Sequence, residues 1–376
     1  MRVALVCDWF LPRLGGIELH LRDLALALRA RGVDASVVTT TRGPDVVDDV
    51  PVYRVRARLA PGAGFAVAPS LPRTLRALVR AQQFDVVHAH ASVISPVAYA
   101  GALAGAAAAL PTVLTFHSML HRSSALLGAS ESLFGWSRGR IVLSAVSSVV
   151  ATQAGRWIPD AAVAVLPNGI DVAFWRAARA AHDDRVLTFA SAMRLSRKKR
   201  ALSLVRAFAR AARFVGRATP VRLVIAGDGP DRDAIRRLAA ELGVADRVEL
   251  PGQLSRVELR ALYARSQAFV LPSERESFGI AALEARAAGL PVIAMLASGA
   301  RDFIRQGVEG LLARDEPELA RAMSRLALDV PFREHVARHN ATVAPAYDWR
   351  DVAAQHVALY GGAAGLLASA APASQR

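Results

Sequence analysis

The sequence predicts an α/β protein built from two successive doubly wound halves. Three observations carry that expectation. Short apolar runs alternate with helical stretches from the first residues onward, the alternation restarts near Val186 after an interruption, and 376 residues at 53% apolar and 21% charged suffice for two full cores.

The first half opens with a strand at Arg2 to Cys7, a loop running from Asp8 to Gly15-Gly16, a helix from Ile17 to Ala30 stopped by Gly32, and a strand at Ala35 to Thr39. Strand, glycine-rich turn, helix and strand in that order make the opening unit of a doubly wound sheet. Further strands are expected at Asp85 to His90, Thr112 to Phe116, Arg140 to Val146 and Ala162 to Leu166, with a helix at Ser95 to Ala109. Pro167-Asn168-Gly169 is a strong turn, and the weakly patterned 171–184 reads as a linker. The cycle then repeats with strands at Val186 to Ala190, Val221 to Ala226, Val248 to Leu250 and Phe269 to Leu271. Helices are expected at Ala201 to Phe214, Asp231 to Leu242 and Arg256 to Arg265. Phe278 to Ala288 follows as a helix closed by Gly289 and Pro291, before a strand at Val292 to Ala294. Trp349 to Tyr360 reads as an amphipathic helix and 363–376 as a frayed tail. The expected division is therefore 1–170, a linker 171–184, 185–345, a helix within 346–362, and the tail.

Composition narrows the function. Cys7 is the sole cysteine, so no intrachain disulfide forms and a reducing, cytosolic setting is expected. Asp8 cuts the first apolar run too early for a signal peptide. The stretch from Val86 to His121 lacks Asp, Glu, Lys and Arg, but its histidines, prolines and Ala-Gly centre fit a buried strand, helix and strand better than a membrane span. The net charge of +15 includes a cluster of Arg54, Arg56, Arg58, Arg73, Arg76 and Arg80. Two readings of that cluster stand level, a solvated face and a surface for an anionic membrane; no nucleic-acid motif accompanies it.

Four constellations have chemistry in them. Gly15-Gly16 at a helix start lets backbone approach a bulky anion, or simply serves a turn needing positive φ. The spaced glycines and the acid after the second strand that mark a dinucleotide site are missing, which disfavours a nicotinamide cofactor. Arg194 and Lys199, in the loop after the strand opening the second half, suit a diphosphate leaving group, although Arg197, Lys198 and Arg200 make a merely basic loop an equal reading. Glu276 and Glu284 flank the start of the Phe278 helix, whose first amides lack intrahelical partners. That fits recognition of ligand hydroxyls and phosphate better than a glycosidase acid pair, whose separation nothing here sets; Glu274 reads as a solvated neighbour. Last, His88, His90 and His117 stand at strand ends, where an open sheet lines its crevice. A zinc site fits their type but lacks a helical pair or a cysteine, and His88 reads as a satisfied core residue. Asp231-Arg232-Asp233 follows Gly227-Asp228-Gly229-Pro230 and reads as a helix start favoured by the dipole, not as a metal motif.

On these residues the sequence resembles the family 4 glycosyltransferases, retaining enzymes of the two-domain GT-B fold, in which two Rossmann-like domains face across a cleft. The likeness spans Gly15-Gly16-Ile17-Glu18, Asp85 to His90, Thr115-Phe116-His117, Pro167 to Asp171, Arg194 with Lys199, Gly227 to Pro230, and Glu276 with Glu284; the last two pairs are the specific part. It implies that Arg194 and Lys199 bind the donor diphosphate, that Glu284 binds the ribose, and that Glu276 with the backbone of Ser277, Phe278, Gly279 and Ile280 holds sugar and phosphates. It also implies His117 at the reacting centre, Gly16 beside the donor, Gly15 and His90 on the acceptor side, and a last helix that crosses back to the first domain. Arg200 stands where a glycine usually follows the lysine, and Ser298-Gly299-Ala300 replaces a more usual Gly-Gly. The opening loop and His88-Ala89-His90-Ala91-Ser92 look most like members that transfer N-acetylglucosamine to phosphatidylinositol.

The resulting expectation is a retaining hexosyltransferase that moves a sugar from a nucleotide-diphosphate donor to a sugar, inositol or lipid-linked acceptor in glycolipid or polysaccharide synthesis. No metal and no cofactor are expected, nor nucleic acid as a partner. A cytoplasmic location with peripheral attachment to the inner membrane face is expected too. The alternatives are a nucleotide-sugar epimerase or hydrolase on the same fold, and a basic binding protein without catalysis.

Overall fold

The computed structural model describes residues 1–13, 15–59, 66–67, 70–120, 141–158, 161–176, 186–216 and 219–369. Leu14, Arg140, positions 177–184 of the expected linker and 370–376 of the expected tail lie outside them, as does the side chain of Arg58. The chain forms two compact units, Met1–Gly169 with Tyr347–Arg376, and Ile170–Ala346.

In the first unit the strands of the larger sheet are β1 (Arg2–Cys7), β2 (Asp34–Thr39), β3 (Val46–Val47), β4 (Val50–Arg54), β5 (Val86–Ala91), β6 (Thr112–Phe116), β7 (Ile141–Ala145) and β8 (Val163–Val165). They lie in the order β8-β7-β6-β5-β1-β2-β4-β3, parallel except for β3. Central strands read as unbroken apolar runs because helices cover both faces of a parallel sheet. Helix α1 (Gly16–Arg29) buries Leu21, Leu24, Ala25 and Leu28. Sequence patterning passed over α2 (Leu71–Ala81), although Leu71, Leu75 and Val79 give it a buried stripe at four-residue spacing. α3 (Pro96–Ala107) fills the uncharged stretch between β5 and β6 as expected. α4 (Ser148–Gly155) is capped by Ser147, whose hydroxyl accepts from Val150 N.

The second unit has β9 (Leu187–Ala192), α5 (Ala201–Val215), β10 (Val221–Ala226), α6 (Arg232–Glu241), β11 (Val248–Gly252), α7 (Arg256–Ala264), β12 (Ala268–Leu271), α8 (Ile280–Ala287), β13 (Val292–Met295), β14 (Gly310–Ala313), α9 (Glu316–Leu328) and α10 (Val330–Thr342). Its parallel order is β11-β10-β9-β12-β13-β14. β9 and β12 are neighbours, Phe189 opposite Ala268, so the strand order reverses between them. A crevice opens at such a reversal, beyond the carboxyl ends of the strands. α9 and α10 also went unread, though Asp315 and Asp329 cap them by accepting from Glu318 N and Phe332 N.

α11 (Trp349–Ser369) belongs to the first unit, where Ala353, Tyr360 and Ala363 join the core. The expectation of a helix ending by 362 and fraying from 363 is corrected: the helix runs on to Ser369 and Ala363 is buried. Its alanines favour helix strongly enough to carry it through Gly361-Gly362. Among the described residues no helix is long and apolar enough to cross a membrane.

Candidate active site

Two loops leave the reversal point of the second sheet. The one after β9 holds Arg194 and Lys199, and the one after β12 holds Glu276. They are joined directly: Lys199 Nζ lies 2.5 Å from Glu276 Oε2, and Ser273 Oγ donates to Lys198 O at 3.2 Å. Arg194 is exposed. The first loop is braced from below, since Leu195 N donates to Asp228 O and Asp231 N to Leu195 O. Gly227 permits this at φ 127°, where a Cβ would fall 1.9 Å from Met193 O.

The second loop runs into α8 through Gly279, whose left-handed backbone caps the helix. Ile280 and Ala281 are the first helical residues, so their amides have no acceptor one turn back. The helix begins two residues later than Phe278; that ring is buried against Phe303 instead. Glu284 is buried one turn further along α8. Gly299 N donates to Glu276 O at 2.8 Å, and a Cβ on Gly299 would fall 2.1 Å from Ser277 O. Ser298-Gly299-Ala300 therefore keeps the one glycine that the contact requires. Arg200, in the place of the usual glycine, adopts φ 60° and pairs with Glu274, which was read as a solvated neighbour.

In the first unit, Gly15 is extended at φ −170° and caps α1. Neither Gly15 nor Gly16 has positive φ, so the turn reading of the pair fails. A Cβ on Gly15 would meet Glu18 Oε2 at 2.3 Å, whereas one on Gly16 would meet nothing within 4 Å. Among the described residues, open space thus stands beside Gly16 at the first turn of α1. β5 and β6 bring three histidines together. His88 is satisfied as expected, with Nδ1 2.8 Å from the Tyr360 hydroxyl and Nε2 2.6 Å from Thr115 Oγ1. The His90 ring lies on it at 3.9 Å between centroids, and His90 Nδ1 is 2.9 Å from His117 Nε2. Burial drives His117 down to about 3 and holds His88 and His90 well below the usual imidazole range, so all three are neutral at physiological pH.

Two family models match this chain, "Glycosyltransferase Family 4" over residues 14–174 and "Glycosyl transferases group 1" over 174–342. The GDP-mannose-dependent alpha-(1-6)-phosphatidylinositol monomannoside mannosyltransferase of Mycobacterium tuberculosis is 31% identical over 87% of this chain and 89% of its own. The D-inositol 3-phosphate glycosyltransferase of Actinosynnema mirum is 30% identical over 92% of each. The chain is a family 4 glycosyltransferase. A phosphatidylinositol N-acetylglucosaminyltransferase subunit of Arabidopsis thaliana is 24% identical over 96% of this chain and 81% of its own. Anabaena Alr3699/HepE, crystallised with UDP, superposes with a TM-score of 0.76 at 22% identity, covering 96% of this chain and all of that one, which shows the shared GT-B fold.

Three residues of this glycosyltransferase escaped sequence reasoning. His20, on α1, is buried with its ring 5.1 Å from His117 and 5.3 Å from Trp349. Its signal was an apolar-face position on a helix that opens a crevice. Glu18 folds back beneath Gly15 and pairs with Arg13 at 3.5 Å, its carboxyl raised by burial. Asp8, buried at the end of β1, accepts from Val97 N and Ala98 N at 3.1 and 3.3 Å, and burial raises it to about 6. No spacing rule connects Asp8 to a helix start some ninety positions away.

Proposed function

We propose that this glycosyltransferase moves a hexose from a nucleoside-diphosphate donor, with retention and without a required metal, to an inositol- or lipid-linked acceptor at an anionic membrane face. One observation carries the donor assignment. The Lys199–Glu276 pair and the start of α8 converge beyond the carboxyl ends of β9 and β12. In this reading Arg194 and Lys199 neutralise the diphosphate, and the Ile280 and Ala281 amides donate to its oxygens at the positive end of the helix dipole. Glu276 holds the sugar hydroxyls and Glu284 the ribose. As the glycosidic bond breaks, Arg194 and Lys199 stabilise the leaving phosphate, which draws the acceptor proton and directs attack to the same face. The acceptor-side group is Gly15, His90 and His117, with His117 hydrogen bonding as a neutral imidazole.

The inositol-linked acceptor class is supported by the names of the three relatives above. The membrane face is supported by α2, whose Arg73, Arg76 and Arg80 are exposed and have no ion pair among the described residues. Thermal-shift screening of uridine, guanosine and adenosine diphosphate sugars identifies the donor. With that donor, Lys199→Ala and Glu284→Ala are expected to lower kcat/KM by at least about a hundredfold, the loss of one or two charge-assisted contacts. Near wild-type transfer in both variants would sink the assignment.

A further inference from the structure

His20, His90 and His117 each offer a ring nitrogen such that the three lie within 4.8 Å of one another. They come from α1, β5 and the residue after β6, and are 4%, 2% and 6% exposed. Two nitrogens in this cluster, Nδ1 of His20 and Nε2 of His90, are buried without a hydrogen-bond partner. Leaving a buried polar atom unsatisfied is costly. Among the described residues, two such atoms leave the cluster with ring nitrogens open to an occupant.

We propose that His20, His90 and His117 form a three-histidine site for a first-row divalent transition ion such as Zn2+, with a fourth coordination position left open. The donor set selects the class. Neutral imidazoles suit zinc, cobalt and nickel, whereas magnesium and calcium demand oxygen ligands, and no carboxylate belongs to the cluster. The frame is already built: His88, anchored by Tyr360 and Thr115, backs the His90 ring, and Trp349 covers His20. Zinc–nitrogen bonds of about 2.1 Å place tetrahedral ligands roughly 3.4 Å apart, so the widest separation must close by about 1.4 Å, within reach of small ring rotations. His90 and His117 also belong to the acceptor-side group above, so the site overlaps that reading; ion binding is measured without substrate and is decided separately from transfer activity.

The test uses the full chain, prepared without a polyhistidine tag and stripped with a chelator. Zn2+ is titrated by calorimetry and Co2+ by visible absorbance. One ion per chain is expected, with the intense cobalt bands of tetrahedral nitrogen ligation. His20→Asn and His90→Asn, each confirmed folded by circular dichroism, should weaken binding by at least about tenfold, since each removes a ligand. His335→Ala, an exposed histidine in the other unit, should leave binding unchanged. The absence of saturable binding, a pale octahedral cobalt spectrum, or unchanged affinity in the folded His20 and His90 variants would overturn the site; the spectrum decides the question even if the variants do not fold.

Discussion

At Arg200 a side chain occupies backbone that glycine prefers, and the local chemistry shows what makes that tolerable. The left-handed conformation at φ 60° costs an ordinary residue about 1–2 kcal/mol. The ion pair with Glu274, both partners being about a third exposed, returns at most about 1 kcal/mol. Arg200→Gly should therefore leave stability unchanged or raise it by up to about 1 kcal/mol, while Arg200→Val should lower it by more than about 1 kcal/mol. Urea denaturation midpoints at constant m-value check both, and a clearly destabilised glycine variant would show that the pair outweighs the strain. The departure at position 200 was visible in the sequence. Its conformation was not, because positive φ at a non-glycine residue is imposed by the loop's fixed ends and leaves no local signature.

On β5 and β6, the element scale, buried neutral histidines link the fold to pH. His117 at about 3 and His356 at about 4 sit below the roughly 6.5 of a free imidazole, and His20, His88 and His90 are displaced in the same direction. Below about pH 6.5 the unfolded chain binds protons that the folded chain refuses, so stability falls with pH by up to about 1.4 kcal/mol per unit for each histidine. Asp8, raised to about 6, and Glu18, also raised by burial, act oppositely, because as the pH falls the folded chain protonates them first; at most two protons are offset against five. Thermal midpoints should drop steadily between pH 7 and 4.5, and His356→Gln should make the slope shallower. A flat profile would mean that water reaches these rings. Sequence spacing put His88 and His90 on one face of a strand and His117 at the end of the next, and those assignments hold. His20 and His356 were hidden since a helix position acquires its neighbours only when the sheet is assembled.

For the whole molecule, both doubly wound sheets and most of their strands were legible, because parallel strands buried on two faces are written as short apolar blocks. α2, α9 and α10 were not read, though their caps and stripes were present in sequence. α2 bears on the partner. No acid occurs between Asp49 and Asp85, and Arg73, Arg76 and Arg80 stand on its outer face. Arg54, counted with them from the sequence, is committed elsewhere, donating to the carbonyls of Leu11, Thr41 and Pro44. Replacing Arg73, Arg76 and Arg80 together with alanine should weaken binding to phosphatidylserine vesicles by about a hundredfold, at about 1 kcal/mol per arginine near the surface. Sedimentation with vesicles at low salt measures this, and indifference to the triple substitution would remove α2 as the contact.

The first unit is drawn from both ends of the chain, since α11 supplies Tyr360 to His88 and Trp349 to His20 while 170–346 form a unit of their own. During synthesis the amino-terminal unit therefore waits for α11 to leave the ribosome, although domains ordinarily close in the order they emerge. The order of completion is inverted: the central segment has all its parts first, and the histidine cluster is sealed only when α11 has emerged.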